Sequence, residues 1–434
     1  MKAFAVFLII TVLCATCFPV DSPMFRGDAQ HTGIYQAEGV PAFSRIKWKF
    51  KTNGYVISTA AVVAGTAYVG STDGFLYAID TESGTQKWKF KTEARIVSSP
   101  AVAKGTVYVG SYDGNFYAVD SVSGKLKWKF ANPGEHRFTA KHLHGSLPAG
   151  EAMPDPFDCY LSSPVIWNGT VYFGSGDGNV YALAADSGKQ LWKFQTGDVV
   201  HASPAIAEGV LFVGSWDSFF YAVDATTGKE KWRFKTGEDA DTHNQVGIQS
   251  SAAVANGLVF FGCRDSNLYA LDAATGQKKW AFNNKGSWVV GSPAVRDNKV
   301  YFGTSDSKFL HVLAADTGAP VFSLKFQWYL FSSPAIAGNT LYVGSHDGKL
   351  YAVDLNSQKV AWAFQTDASR EQLPARTNPD GTINSAPLFT ENFYDDMVAG
   401  VNKVYAQGSI LASPVVVDKV VYVGSTDGYL YALI

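Results

Sequence analysis

Eight copies of one phrase run through this chain of 434 residues. One copy reads Ser98-Ser99-Pro100-Ala101-Val102, a turn at Gly105, Tyr108-Val109-Gly110-Ser111, Asp113-Gly114, Tyr117-Ala118-Val119-Asp120, Ser123-Gly124 and then Trp128. A period of about 40 residues holding four short strand patterns is the signature of a propeller blade. The expected fold is therefore all-β: an eight-bladed β-propeller with four-stranded antiparallel blades. Length alone suggests two or three domains, but stacked blades form one unit.

The tyrosine strand recurs at Tyr68, Tyr108, Tyr172, Phe212, Phe260, Tyr301, Tyr342 and Tyr422. The tryptophan strand recurs at Trp48, Trp88, Trp128, Trp192, Trp232, Trp280, Phe322 and Trp362, offset so that Trp48 precedes the first tyrosine copy. The offset predicts that the strand 46–52 joins the C-terminal blade and closes the ring, removing exposed sheet edges. In the second blade the expected strands are Ile96–Ala103, Val107–Ser111, Asn115–Asp120 and Leu126–Phe130. Gly and Asp supply the tight turns, so the series Asp73, Asp113, Asp177, Asp217, Asp265, Asp306, Asp347 and Asp427 reads as turn formers rather than as a carboxylate site. Each tryptophan ring is expected to dock on the neighbouring blade, and loss of one to cost about 3–5 kcal/mol.

Residues 1–17 read as a secretory signal: Lys2, an apolar run from Ala3 to Val12, then small residues. The run is too short for a comfortable membrane span. Thr16 fits poorly before a lipidated cysteine, so export without an anchor is expected rather than lipidation of Cys17. A leader follows over 18–45, and the propeller over 46–434. Cys159 and Cys263, far apart in sequence, read as separate buried thiols rather than a disulfide or metal pair. A net charge of −2 with both signs interspersed gives no reason to expect nucleic acid.

The pattern Ala118-x-Asp120, Ser123-Gly124, Trp128 resembles the tryptophan-docking repeat of quinoprotein (pyrroloquinoline quinone, PQQ) propellers. It recurs at Ala78/Asp80/Gly84/Trp88, Ala222/Asp224/Gly228/Trp232 and Ala270/Asp272/Gly276/Trp280. It is blurred at Ala182/Ala184/Gly188/Trp192, lacks the glycine at Ala352/Asp354/Trp362 and is weakest near Gly318/Phe322. The resemblance covers about residues 46–434. It implies the fold, and two activity classes: PQQ-dependent alcohol or sugar dehydrogenases holding PQQ with calcium, and cofactor-free propellers such as the scaffold lipoprotein of the outer-membrane β-barrel assembly machine. The adjacent cysteine pair usual over the quinone is absent here, as is Cys-x-x-Cys-His. The leader Phe25-Arg26-Gly27-Asp28-Ala29-Gln30-His31-Thr32-Gly33 looks like the opening segment of exported relatives. The Arg-Gly-Asp within it matches a cell-adhesion tripeptide, which three residues do by chance.

Function is expected where the copies differ. Trp128 to Trp192 spans 64 residues, Trp232 to Trp280 spans 48 and Tyr342 to Tyr422 spans 80, against 40–42 elsewhere. The three insertions, about 132–160, 237–249 and 367–409, all join an outer strand to the next inner strand, on one face of the disc. Loops on a rigid scaffold carry function. The first two hold His136, His142, His144 and His243, and His201 opens the strand between them. With Asp155, Asp158, Glu238, Asp239 and Asp241 they are weak candidates for a metal or catalytic site. The third insertion reads as a long capping loop. Its Ser385-Ala386-Pro387 and Val404–Ser409 echo blade strands, which leaves a degenerate ninth blade as an alternative. The channel should be lined by the starts of the inner strands. There Tyr55, Arg95, Trp288, Tyr329, Gln249 and Phe331, with Trp216, Arg264 and Trp328, are candidates for a stacking pocket that takes a ligand or partner.

The leading expectation is a non-catalytic binding or scaffold protein of the cell envelope, secreted or periplasmic, holding an envelope protein, peptide or glycan on the insertion-bearing face. The alternative is a PQQ-dependent dehydrogenase. A cofactor-free hydrolase or lyase using the histidines is third.

Overall fold

Side chains on both faces of Thr106–Gly110 and Asn115–Asp120 are buried, whereas Leu126–Ala131 alternates exposed and half-buried. That is the burial of a sheet stacked between two others, with only its last strand at the rim. A computed structural model describes residues 21–237, 247–382, 384, 388 and 391–434. It shows an eight-bladed propeller of antiparallel sheets. In chain order, blades one to seven span residues 61–91, 101–131, 165–195, 205–235, 253–283, 294–325 and 335–365. Blade eight takes Val415–Val417, Val420–Gly424 and Tyr429–Leu433, with Ile46–Lys51 as its outer strand, where Trp48 pairs with Ala432.

The hydrogen-bonded inner strand is shorter than expected. In blade two it is Ala101–Ala103, not Ile96–Ala103. Pro100 has no N–H to give a ladder. Upstream, side chains take over: Ser98 Oγ donates to Ser162 O, and Ser99 N donates to Ser163 Oγ. This second kind of bond repeats blade to blade. It links Ser413, Thr59, Ser99, Ser163, Ser203, Ser251, Ser292 and Ser333 into a belt of backbone N–H to hydroxyl bonds around the channel.

Tryptophans stitch the rim. Trp88 Nε1 donates to Ser121 O at 3.0 Å, and Trp48, Trp128, Trp192, Trp232, Trp280 and Trp362 make equivalent bonds to Thr81, Ala185, Ala225, Ala273, Ala315 and Val40. Each ring from Trp48 to Trp280 also lies against the turn glycine of the next blade. A Cβ on Gly124, at φ +68°, would stand 2.8 Å from Trp88 Cδ2. The two departures from the tryptophan–glycine pairing are partners across one joint. Blade six carries Phe322 in place of tryptophan, and blade seven carries Gln358 at φ 57° in place of glycine. Gly124→Ala is expected to cost roughly 2–4 kcal/mol, from left-handed strain plus the clash, read as a fall in urea midpoint.

The leader is a structural element of the propeller rather than an appendage. It crosses the channel end opposite the insertions, bonding inner strands one after another. Val102 N donates to Pro23 O, Ile206 N to Ala29 O, Val254 N to Gln30 O, Val295 N to Thr32 O and Ile336 N to Gly33 O. Ile34–Tyr35 then adds a parallel fifth strand to blade seven. Arg26 is fully buried and donates to Pro334 O at 2.5 Å and Pro293 O at 2.9 Å. The Arg-Gly-Asp tripeptide is therefore a structural plug, with its arginine inaccessible to any receptor.

Candidate functional site

The channel is lined as the inner-strand pattern requires. Ile57, Val97, Leu161, His201, Gln249, Val290, Phe331 and Leu411 form one ring, and the hydroxyl belt forms the next. The cavity left is only about 30 Å³. That holds a water or two and no organic cofactor. Phe25 of the leader and Tyr160 of the first insertion also line it. Tyr160 Oη donates across the axis to Phe331 O and Leu411 O, both at 3.2 Å.

The insertions build a lid over the other end. The first forms a small hairpin, Thr139–Lys141 with Ala152–Pro154. The third is helical rather than a blade remnant: α1 (Asp367–Gln372) and α2 (Tyr394–Ala406). Val404, Tyr405 and Ala406, which echo a strand in sequence, end α2. The burial of Gly400, Val401, Val404 and Tyr405 follows helical spacing, and Asp395 and Asp396 sit favourably in the first turn. Ser385-Ala386-Pro387 lies outside the described residues. The two insertions meet: Leu147 N donates to Asn392 O at 2.8 Å, Tyr394 N to Leu147 O at 3.0 Å, and Tyr394 Oη to Pro154 O at 2.7 Å.

Beneath the lid the aromatic candidates are packed against the chain itself. Arg264 is 1% exposed, and its guanidinium carbon lies 4.3 Å from the ring centres of both Trp216 and Trp288. Arg264 donates to Asp155 Oδ2 at 2.5 Å and to Gln249 Oε1 at 2.9 Å, while Gln249 Nε2 donates to Phe157 O. Phe138 stacks on the other side of the assembly, 4.5 Å from Trp216. Trp328 is buried in the same apolar cluster as α2. The expected stacking pocket is thus filled by Arg264 and the first insertion. Trp216, Gln249, Arg264 and Trp328 hold the lid down and are not open to a ligand. Tyr55 packs edge-on to Tyr405, and Arg95 lies 4.0 Å over Tyr112. Trp288, Tyr329 and Phe331 instead reach a separate open pocket of about 310 Å³.

The candidate histidines among the described residues do not converge. His136 and His142 are exposed, and His243, Glu238, Asp239 and Asp241 lie outside the described residues. His144 Nε2 lies 3.3 Å from Asp155 Oδ1, over Trp288. His201 is buried, with Nδ1 2.7 Å from Asp158 Oδ1 and Nε2 4.0 Å from Glu135 Oε2. Among the described residues no group of three or more His, Cys, Asp or Glu is placed to hold a metal ion. Cys159 and Cys263 are buried free thiols, pushed up by burial.

Burial lowers the pKa of His201, but the Asp158 carboxylate outweighs it and holds the imidazole above its usual value. The group therefore adds stability that is complete below about pH 6.5 and is lost as pH rises through the folded value. The urea-midpoint gap between wild type and His201→Gln is expected to narrow as pH is raised from about 5.5 to about 9. A gap that widens would contradict this ion pair.

PQQ is a flat tricarboxylate, and the residues present do not fit it. Among the described residues the space between Trp216 and Trp288 holds Arg264, and the open pocket under the lid offers the carboxylates of Asp306 and Glu391, which repel an anion. No helix among the described residues is long and apolar enough to cross a membrane.

Solved structures share the fold at low identity. BamB from Moraxella catarrhalis superposes with a TM-score of 0.66 at 15% identity, over 90% of this chain and 99% of that one. Quinohemoprotein alcohol dehydrogenase from Comamonas testosteroni gives 0.69 at 15%, over 95% and 80%. A europium-containing methanol dehydrogenase gives 0.65 at 14%, over 95% and 98%. No curated protein matches by sequence. The family model described as outer membrane protein assembly factor BamB matches residues 41–149, 159–364 and 264–399. Matched over most of its length, the chain belongs to that family of PQQ-repeat propellers.

Proposed function

We propose that this protein is an exported, non-catalytic binding propeller of the cell envelope, one domain over 46–434, that holds a protein partner on its insertion-bearing face. The Ile46–Lys51 strand, paired with the last strand, closes its ring. The observation that carries the reading is the joint between the first and third insertions. There two separate growths of the repeat pair with each other, and Leu147 and Phe393 remain 42% and 53% exposed at the seam. Exposed apolar residues on a rigid frame mark interaction surfaces. The family and the resemblance to BamB support an envelope partner.

Replacing Phe393 with aspartate is expected to weaken partner capture by in vivo crosslinking about tenfold while leaving thermal stability unchanged. Calorimetric titration with PQQ, with and without calcium, is expected to give no saturable heat. Tight calcium-dependent binding of one quinone per chain, with turnover of an alcohol or sugar, would replace this reading by the dehydrogenase one.

A further inference from the structure

Seven of the eight turn aspartates are consumed by the scaffold. Asp73, Asp113, Asp177, Asp217, Asp265, Asp347 and Asp427 each accept the hydroxyl hydrogen of a tyrosine four residues on. Blade six breaks the rule. Its loop Thr304–Phe309 carries one residue more than the others, Gly303 pairs with Leu310, and His311 takes the tyrosine's place. Asp306 is therefore released from the turn. It is exposed, accepts from its neighbour Ser305 Oγ at 2.7 Å, and stands close enough to the Tyr329 hydroxyl to raise that phenol's pKa.

The released carboxylate lines the 310 Å³ pocket between the blades and the lid. Blades six and seven supply Trp288, Tyr329 and Phe331, the first insertion supplies Phe157, and the third supplies Glu391. We propose that this pocket binds an organic cation on an apolar stem, an alkylammonium or guanidinium group, with aromatic walls around the stem and Asp306 and Glu391 as counter-charges. The inference rests on the binding-protein reading above and names the ligand chemistry of that face.

The electrostatics favour this class. Cations are attracted to aromatic faces. Among the described residues neither Asp306 nor Glu391 has an ion-pair partner within 4 Å. The nearby cations are engaged elsewhere or stand outside the pocket lining. Arg264 is neutralised by Asp155, His144 in the lining turns its Nε2 to Asp155 Oδ1 at 3.3 Å, Lys325 Nζ donates to Ser307 O, and Lys308, which senses Asp306, is not in the lining. The volume lies at the lower end of ligand sites, suited to one side chain and its neighbours or to a small amine.

The test is calorimetric titration of the mature protein with acetyl-Gly-Lys-Gly-amide, acetyl-Gly-Arg-Gly-amide and choline. The controls are acetyl-Gly-Gln-Gly-amide and maltose. Saturable binding of a cationic probe is expected, about tenfold tighter than the glutamine peptide and weakened by salt. Asp306→Asn and Glu391→Gln, both at exposed positions, should each weaken it several-fold without changing thermal stability. A response to the peptides alone assigns the cation to a protein partner, and a response to choline alone assigns it to a free amine. Equal binding of the glutamine peptide or maltose, indifference to both variants, or no saturable cation binding overturns the proposal. Phe393 also lines this pocket, so the crosslinking comparison is repeated with Asp306→Asn: capture lost in Phe393→Asp but kept in Asp306→Asn leaves the protein-partner reading standing without the cation site, and capture unaffected by Phe393→Asp while wild type binds the cation sinks the protein-partner reading alone.

Discussion

Arg264→Met is expected to cost about 3–5 kcal/mol and to loosen the lid, because it leaves Asp155 buried without a counter-charge. Both groups are almost wholly inside, 1% exposed. Burial pushes the Asp155 carboxyl up, but Arg264, the His144 hydrogen bond and the Phe157 N–H outweigh it and hold it well below the usual carboxylate range. A carboxyl depressed on folding stabilises above its unfolded value, about 3.9, and loses that contribution as pH falls. The destabilisation in Arg264→Met should therefore be largest near neutral pH and shrink as pH falls, first because Asp155 in the variant, raised by burial without its counter-charge, takes up a proton above the unfolded value, and then below about pH 3.9 as wild type loses its own contribution. Equilibrium urea unfolding of wild type and variant across that range measures it. Adding Asp155→Asn to Arg264→Met should recover part of the loss, since the uncompensated charge is gone. A single variant as stable as wild type would mean that the arginine does not anchor the first insertion.

Trp48→Ala is expected to be as costly, about 3–5 kcal/mol, for a different reason. The ring is 8% exposed, lies against Gly84 and donates to Thr81 O at 2.8 Å. It sits on the strand that joins the last blade, so its loss opens the joint between blades eight and one, where the chain's two ends meet. Trp128→Ala removes a similar ring from a joint whose blades are continuous in sequence. Comparing the two separates packing from closure. Equal losses in melting temperature would assign the whole effect to the ring. A larger loss at Trp48, with faster proteolysis of the leader, would show that the joint between the chain ends is the weaker one.

Much of this was legible because the repeat writes the scaffold eight times. The aromatic, tryptophan and glycine positions are fixed by the same packing in most blades, so each copy checks the others. The channel ring from Ile57 to Leu411 followed from counting back from the proline slot. The site was less legible because its parts are single instances. Nothing in a histidine on a long loop says whether it meets its neighbours, and His142 and His201 ended on opposite sides of the burial boundary. Aromatic residues at the channel mouth read as a ligand stack, but Arg264 filled the gap between Trp216 and Trp288. The helix α2 was hidden by Val404–Ser409, which mimics a strand motif; the spacing of Val401, Val404 and Tyr405, with Asp395 and Asp396 ahead of them, was the signal available. Asp306 could have been found by the one-residue lengthening of its loop.

The leader fixes an order of events. Its hydrogen-bond acceptors run from Pro23 to Gly33, and the strands that use them extend to Ile336, with Ser44 and Arg45 N–H groups reaching Ile434 O at the chain's last residue. The leader, which precedes every blade in sequence, therefore has no complete seat for Pro23–Gly33 until the seventh blade exists. Closing so long a loop is entropically costly and slow. The central blades can pair locally before that, so a protease-resistant leader is expected only on chains whose seventh blade has formed, which pulsed proteolysis during refolding checks.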